Sequence, residues 1–271
     1  MSATNRVLAP FARRQARVTR SERLGAYRVL WVDDAAGPAP APGQFAMIAA
    51  AEHWGGGQDE RPYLARAFSV ARRREDGESA FLLEDVGPGT ARLCELRAGE
   101  PLSLLGPLGR GFSPLGPRQH AVLIGGGVGI APLAILQDEL GPARSTALLG
   151  FRDSEHAAGA ALLPGAQVAT DDGSLGHRGP VTELLAPLLR RHAQDGAGAL
   201  VVRACGPPPM LEAVRAICAR EQLPAELALE AGMACGFGSC YGCVVPRRDG
   251  SHLRVCLDGP VVDAAELACV R

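Results

Sequence analysis

Aromatic residues are scarce in this 271-residue chain, which holds seven Phe, three Tyr and two Trp. Any core must therefore be built from Ala, Val, Leu and Ile, and at 47% hydrophobic residues overall the chain has enough apolar surface to bury. Net charge is nearly absent as well, with 28 basic residues against 29 acidic ones for a formal −1. The chain thus carries no electrostatic footprint for nucleic acid or an anionic membrane. No apolar run reaches membrane-spanning length, so no membrane insertion is expected. The opening stretch, MSATNRVLAPFARRQARVTRSERLGAY, lacks an apolar segment followed by a small-residue cleavage site; it reads as no secretory signal, and a cytoplasmic location is expected. The same composition disfavours global disorder.

Glycine and proline, by contrast, are abundant, at 34 and 21 residues. That is high for a helical bundle, and the length predicts about two domains. Eight cysteines are present, four of them between Cys235 and Cys256. In a cytosolic chain, clustered cysteines point to a metal centre or redox chemistry rather than to disulfides.

The first third reads as β. Short apolar runs at Gln15–Arg20, Ala26–Val32, Gln44–Ala50, Arg66–Ala71, Ala80–Asp85 and Pro101–Leu105 are separated by Gly, Pro and charged turns, the pattern of a small antiparallel barrel or sandwich. The Pro-rich Gly37–Gly43 is a loop, Glu52–Pro62 an exposed excursion, and a helical turn is expected to start at Gly89–Thr90 with Thr90 as its cap. From about residue 118 the pattern becomes alternating strand and helix. Runs at Ala121–Ile124, Ser145–Phe151, Gln167–Thr170 and Ala199–Ala204 alternate with helical segments such as APLAILQDEL, TELLAPLLRRHA and PMLEAVRAICARE. Continuous apolar strands joined by helices predict a parallel sheet covered on both faces. The Gly- and Cys-rich remainder from about Ala225 is too short for a core of its own and needs a staple.

Cys235, Cys240, Cys243 and Cys256 form C-x4-C-x2-C-x12-C. This is plant-type [2Fe-2S] spacing, in which a tight loop supplies three thiolates and a later segment returns the fourth. Gly236, Gly238 and Gly242 within the loop let the backbone take positive φ and bring N–H groups towards the sulfurs. A structural zinc is the alternative, since C-x2-C is also zinc spacing, although zinc loops usually pair two short knuckles. Cys94, Cys218 and Cys269 read as small buried hydrophobes. Cys205 ends a strand at ACGPPPM, where ligands of parallel sheets bind, and is a candidate for a nucleotide site.

LIGGGVGIAP at Leu123–Pro132 is a strand entering a Gly-rich turn and then a helix, a place where a pyrophosphate can approach backbone N–H groups. Its glycines, Gly125, Gly126, Gly127 and Gly129, do not fit G-x-G-x-x-G, so the standard dinucleotide fingerprint is missing. Further on, Asp153 could bond a ribose 2′-hydroxyl and favour NAD, while the adjacent Arg152 could accept a 2′-phosphate, which leaves the choice open. Arg66-Ala67-Phe68-Ser69 could offer a guanidinium and a hydroxyl to a phosphate, but positions three apart face opposite ways unless the strand bends or ends there. EDVGPGTARL places Gly87, Gly89 and Thr90 at a helix start, a second possible anion site.

An antiparallel barrel with R-A-F-S and G-P-G-T, a parallel domain with GGGVGIAP and CGPPPM, and the terminal cysteine pattern together resemble the ferredoxin-reductase superfamily. Within it, the sequence is most similar to electron-transfer subunits of class 1B dihydroorotate dehydrogenase, through GPLGRGF, TDDGSLGHRG, LEAGMACGFGSCYGCVV and RVCLDGPVV. The resemblance implies an FAD-binding antiparallel β-barrel over 1–116, an NAD-binding α/β domain over 117–224 and a small [2Fe-2S] domain over 225–271. It places Arg66, Ala67, Phe68, Ser69, Leu82, Leu83 and Glu84 along FAD, with Gly89 and Thr90 at its pyrophosphate. It sets Gly125, Gly126, Gly127, Gly129, Cys205 and Gly206 at the nicotinamide nucleotide and makes Cys235, Cys240, Cys243 and Cys256 the cluster ligands. No residue of the chain need act as an acid or base. The implied partner is an FMN-containing dihydroorotate dehydrogenase catalytic subunit in a heterotetramer of two copies of each, with electrons passing through the cluster to FAD and on to NAD⁺ in pyrimidine biosynthesis. The same cofactors would also serve a hydrogenase, sulfide reductase or transhydrogenase complex, and a zinc-stapled binding module is the reading from another class. Two departures from the family pattern stand out: Ala67 replaces the usual Pro of R-P-x-S, and the family often has Arg near the position of Glu84.

Overall fold

A computed structural model describes residues 13–55, 61–195 and 198–270. The opening twelve residues and the middle of the Glu52–Pro62 excursion lie outside them. Six strands, β1 (Arg14–Leu24), β2 (Tyr27–Asp33), β3 (Phe45–Ala50), β4 (Arg66–Arg73), β5 (Glu78–Glu84) and β6 (Pro101–Leu108), close into an antiparallel barrel in the order β1-β2-β5-β4-β3-β6. Strict alternation builds it: along β6, Leu102, Leu104, Gly106 and Leu108 face inward while the residues between them are half-buried. Val18, Leu30, Val32, Ile48, Val70, Phe81 and Leu83 fill the interior with few aromatics, as the composition demands. At the mouth, Arg14 forms a two-pronged pair with Asp34, both contacts 2.6 Å, and donates to the Gly106 carbonyl at 2.7 Å.

Helix α1 (Pro88–Cys94) starts earlier than expected. Pro88 supplies a first residue whose missing N–H costs the helix nothing, and Gly87 is the cap. Thr90 lies one turn in, where its hydroxyl accepts from the Val86 N–H and donates to the Gly87 carbonyl, each at 2.9 Å.

The second half is a seven-stranded sheet in the order β10-β9-β8-β7-β11-β12-β15. Its strands are β7 (Gln119–Gly126), β8 (Ser145–Phe151), β9 (Gln167–Thr170), β10 (His177–Arg178), β11 (Ala199–Cys205), β12 (Ala225–Ala228) and β15 (Val261–Asp263). All pairings are parallel except β12 with β15. Helix α2 (Ala131–Leu140) lies between sheet and barrel, tied to β4 by Arg72, which reaches the Ala134 and Leu162 carbonyls and Asp138. The short α3 (Ser154–Ala157) follows β8, while α4 (Leu185–Asp195) and α5 (Pro208–Arg220) precede and follow β11.

The sheet runs past residue 224. β12 continues it beside β11, β15 forms the far edge, and between them the chain makes the cysteine loop, a hairpin of β13 (Val244–Pro246) and β14 (His252–Arg254), and the single turn α6 (Val255–Asp258). This segment also touches the barrel, since the Arg110 N–H donates to the Gly259 carbonyl at 2.5 Å. Among the described residues, no helix is long and apolar enough to cross a membrane.

Candidate functional site

β7 lies inside the sheet with β8 on one side and β11 on the other, so the chain leaves their carboxyl ends in opposite directions and opens a crevice there. The two turns that flank it are packed backbone to backbone. A Cβ on Gly129 would stand 2.6 Å from Gly206 Cα and 2.7 Å from the Cys205 carbonyl carbon, and one on Gly206 would stand 2.9 Å from Gly126 N. Gly127 takes a φ of 54°, a region that L side chains disfavour.

Above these turns is a cleft of about 520 Å³, whose lining includes Gly126, Gly127, Gly129, Arg152, Met210 and Glu230 from the sheet side. The barrel contributes Tyr27 and Glu84. The Tyr27 ring meets His156 edge-on at 5.6 Å, and its buried hydroxyl has no hydrogen-bond partner. Burial and the neighbouring Glu84 push that phenol up from its ordinary range. An orphaned hydroxyl on the wall of a cleft is suited to a polar ring ligand, because a buried donor left alone is costly. Asp153 caps α3, accepting the His156 backbone N–H at 3.0 Å and facing its Nδ1 at 2.7 Å; those bonds hold its carboxyl below the usual range.

The two anion candidates of the barrel come together. Arg66 lies against Gly89, where a Cβ would stand 2.7 Å from the guanidinium Nε, so a side chain there would have to displace the guanidinium from the turn. Arg66 also donates to the Leu64 carbonyl at 2.5 Å and stacks 5.7 Å from Trp54. Ala67 and Ser69 pair with Met47 and Phe45 across the ladder. Leu82 and Leu83 are buried in the cores, and of that trio Glu84 alone lines the cleft. Cys205 packs into the core beneath the turns, and burial raises its thiol well above the ordinary range. Of the three cysteines expected as buried hydrophobes, Cys218 is fully buried, while Cys94 and Cys269 are half-buried. Tyr27, His156, Asp171 and Glu230 were not singled out from the sequence; the last two sit inside the quoted TDDGSLGHRG and LEAGMACG stretches, but nothing in their spacing marks a side chain that faces a cleft.

The cysteine loop presents its thiols as two pairs. Cys243 Sγ and Cys256 Sγ are 3.2 Å apart and buried, while the Cys240 N–H points at Cys235 Sγ from 3.5 Å on the outer side. Further N–H groups face sulfur, Gly242 to Cys240 at 3.4 Å and Cys256 to Cys243 at 3.4 Å. Burial pushes the Cys235 thiol up, but N–H groups of Cys240, Phe237 and Ser239 outweigh it and bring it down to about 6. Burial and the Cys243 thiol push Cys256 up to about 12. Among the described residues, no three His, Cys, Asp or Glu side chains converge on one point. Two pairs of thiols with N–H groups aimed at them fit a two-iron cluster, each iron taking two cysteines, better than one tetrahedral ion. Gly236, at φ 78°, presses the loop onto Met47 of β3, and Arg254 ties it by donating to the Gly238 carbonyl at 3.2 Å.

Residues 230–268 match the model of the iron–sulfur cluster binding domain of dihydroorotate dehydrogenase B. The NADH-dependent reduced ferredoxin–NADP oxidoreductase shares the fold, with a TM-score of 0.77 at 24% identity over 94% of this chain and 90% of that one. The electron transfer subunit of dihydroorotate dehydrogenase B (NAD(+)) from Caldanaerobacter subterraneus subsp. tengcongensis is 33% identical over 93% of this chain and 97% of its own length. The same subunit from Geobacillus thermodenitrificans is 36% identical over 83% and 86%. With a third of its residues identical across nearly its whole length, the chain belongs to the family of dihydroorotate dehydrogenase B electron transfer subunits.

Proposed function

We propose that the chain is the electron-transfer subunit that carries electrons from a dihydroorotate-oxidising, FMN-containing catalytic subunit to NAD⁺, as a step of pyrimidine biosynthesis. The observation that carries this reading is the pair-wise presentation of Cys235, Cys240, Cys243 and Cys256 in a loop seated on the barrel strand next to Arg66–Ser69. When bound, FAD interconverts single electrons and a hydride while a [2Fe-2S] cluster passes electrons singly. The residues of the chain provide position. Arg66 with the backbone of Gly89 and Thr90 holds the flavin pyrophosphate, Ala67–Ser69 and the end of β5 line the flavin, and the Tyr27 hydroxyl gains a polar partner. Gly125–Gly129 with Cys205–Gly206 would form the wall against which NAD lies, and hydride transfer between flavin and nicotinamide needs no protein acid or base. In functional terms the units are 1–116 for flavin, 117–224 for nucleotide and 225–271 for the cluster.

Docking of the catalytic subunit is assigned to the face that carries the cluster loop, where Phe237 and Tyr241 are exposed beside the half-buried and exposed thiols of Cys235 and Cys240. A heterotetramer of two copies of each subunit is the assembly expected. The test is anaerobic: the purified chain should show flavin and iron–sulfur absorption, and NADH should bleach both. A colourless, iron-free preparation after anaerobic reconstitution would sink the reading.

A further inference from the structure

Arg152 directly follows β8, the strand beside the Gly-rich turn of β7, which in a parallel α/β unit is where the adenosine ribose is read. A guanidinium at that place is a ready-made fork for a 2′-phosphate. Here the fork is already engaged. Glu84, at the end of β5 in the barrel, crosses the cleft and pairs with Arg152 through Oε1, and the same oxygen lies 3.4 Å from His156 Nε2. Asp153 occupies the other ring nitrogen of His156 at 2.7 Å. Among the lining residues described for this cleft, Arg152 and His156 are the basic ones, and they share the lining with the carboxyl groups of Glu84, Asp171 and Glu230, the last raised above its ordinary range by burial. A 2′-phosphate would bring about two further negative charges into that field. Stability does not explain the pair: the Arg152 side chain is 60% exposed, and exposed ion pairs contribute little.

We infer that Glu84 sets the dinucleotide specificity of this cleft, by holding the Arg152 guanidinium from the barrel side so that a nucleotide bearing only a ribose 2′-hydroxyl is accepted and one bearing a 2′-phosphate is refused. The inference rests on the reading of the cleft as the nicotinamide nucleotide site. It makes Glu84 a positioning residue that acts through Arg152, and it gives a role to a carboxylate near whose position the family often has arginine.

The experiment compares NADH with NADPH as reductants of the flavin- and cluster-loaded chain, and adenosine 2′,5′-bisphosphate with ADP as ligands by calorimetry. Flavin content is measured on every variant. In Glu84→Gln, the rate with NADPH relative to NADH and the affinity for the bisphosphate relative to ADP should each rise about tenfold, the scale of one unit charge removed at a few ångströms in a partly solvated site. Adding Arg152→Gln to that variant should return both ratios to the wild-type values. Arg152→Gln alone, which needs no change at the flavin side, should leave both ratios within about twofold, because Glu84 has already occupied the fork. Unchanged ratios in Glu84→Gln, a gain that survives the double substitution, or a wild type that takes NADPH as readily as NADH would each overturn the inference. If Glu84→Gln fails to hold flavin, Arg152→Gln decides: a tenfold loss of bisphosphate affinity relative to ADP would mean that Arg152 was never disarmed. A wild type reduced by neither nucleotide would instead sink the functional reading itself.

Discussion

Replacing Gly129 by alanine tests the packing on which the nucleotide cleft depends. The added methyl would stand 2.6 Å from Gly206 Cα and 2.7 Å from both the carbonyl carbon and oxygen of Cys205. Carbon atoms in contact prefer about 3.5–4.0 Å, so the turns after β7 and β11 would have to part by about 1 Å. No flexible side chain can yield, because every atom in the way is backbone. The turn on the far side is no freer, since Gly206 is itself close-packed on Gly126. Overpacking of this kind costs about 1–3 kcal/mol. A shift of about 1 Å in a group that positions a reactant can cost about a hundredfold in rate. Gly129→Ala should therefore lose about 1–3 kcal/mol in urea unfolding, and reduction of its flavin by NADH should slow by about ten- to a hundredfold. Reduction by dithionite, which needs no nucleotide cleft, should proceed at the wild-type rate, and flavin and iron contents should be unchanged. Gly232→Ala, where a methyl meets nothing within 4 Å, is the packing control. A Gly129→Ala protein within about 0.5 kcal/mol of wild type and reduced by NADH at the wild-type rate would refute the close approach of the two turns and the cleft built on it.

Cys240→Ser should remove the cluster, read as loss of iron and of iron–sulfur absorption, and leave FAD bound, because Cys240 is exposed and its hydrogen bonds are with Cys235 and Gly242 of its own loop; simultaneous loss of flavin would contradict the separation of the two sites. Glu212 accepts two bonds from Arg215, at 2.6 and 2.9 Å, and the Val270 N–H at 2.9 Å, and the Arg215 bond draws its carboxyl down to about 2. A depressed carboxyl adds stability that is complete above its unfolded pKa and fades as pH falls towards the folded one. Glu212→Gln should thus be less stable than wild type by about 1 kcal/mol at neutral pH, after allowance for solvent screening, with the gap closing between pH 4.5 and about 2. Urea unfolding at pH 7 and at pH 4 measures it, and a gap that widens in acid would contradict the assigned bonds.

The barrel and the parallel sheet were legible in the sequence because their strands are long enough to show a period and their turns are marked by Gly and Pro. The six runs of the first third all lie within or overlap β1–β6, and GGGVG falls at the turn after β7. What was hidden shares a physical cause. β12 to β15 span three or four residues each, too few for alternation to register. Thr90 looked like a cap, yet Pro88 begins the helix, because a fixed φ and no N–H suit the first position as well as a side-chain acceptor suits the cap. Long-range ion pairs left no local mark. The chain contains no lysine, so every fixed side-chain cation is a guanidinium, and these forks bridge distant segments: Arg14 to Asp34, Arg72 to Asp138 and Arg152 to Glu84. Glu84 therefore read only as a departure from the family pattern beside FAD, when its partner lies 68 residues away.

The same long-range logic explains why a tail too short for its own core can hold a metal centre in register with a flavin. β12 and β15 are held as strands of the nucleotide sheet, so both ends of the cysteine segment are fixed before the loop between them closes. The loop is then pinned on its other side, by Gly236 on Met47 of β3 and by the Gly259 carbonyl on the Arg110 N–H after β6. Met47 pairs directly with Ala67 in the ladder, so the strand that carries Arg66–Ser69 and the loop that carries Cys235 share one supporting strand. A displacement of the barrel relative to the sheet would strain the loop from both ends, and the contacts of Arg72 with α2 oppose such a displacement. The cluster segment is thus also a seam between the flavin and nucleotide units, and the place of its cysteines relative to both is set by strand pairing on rigid elements rather than by a linker.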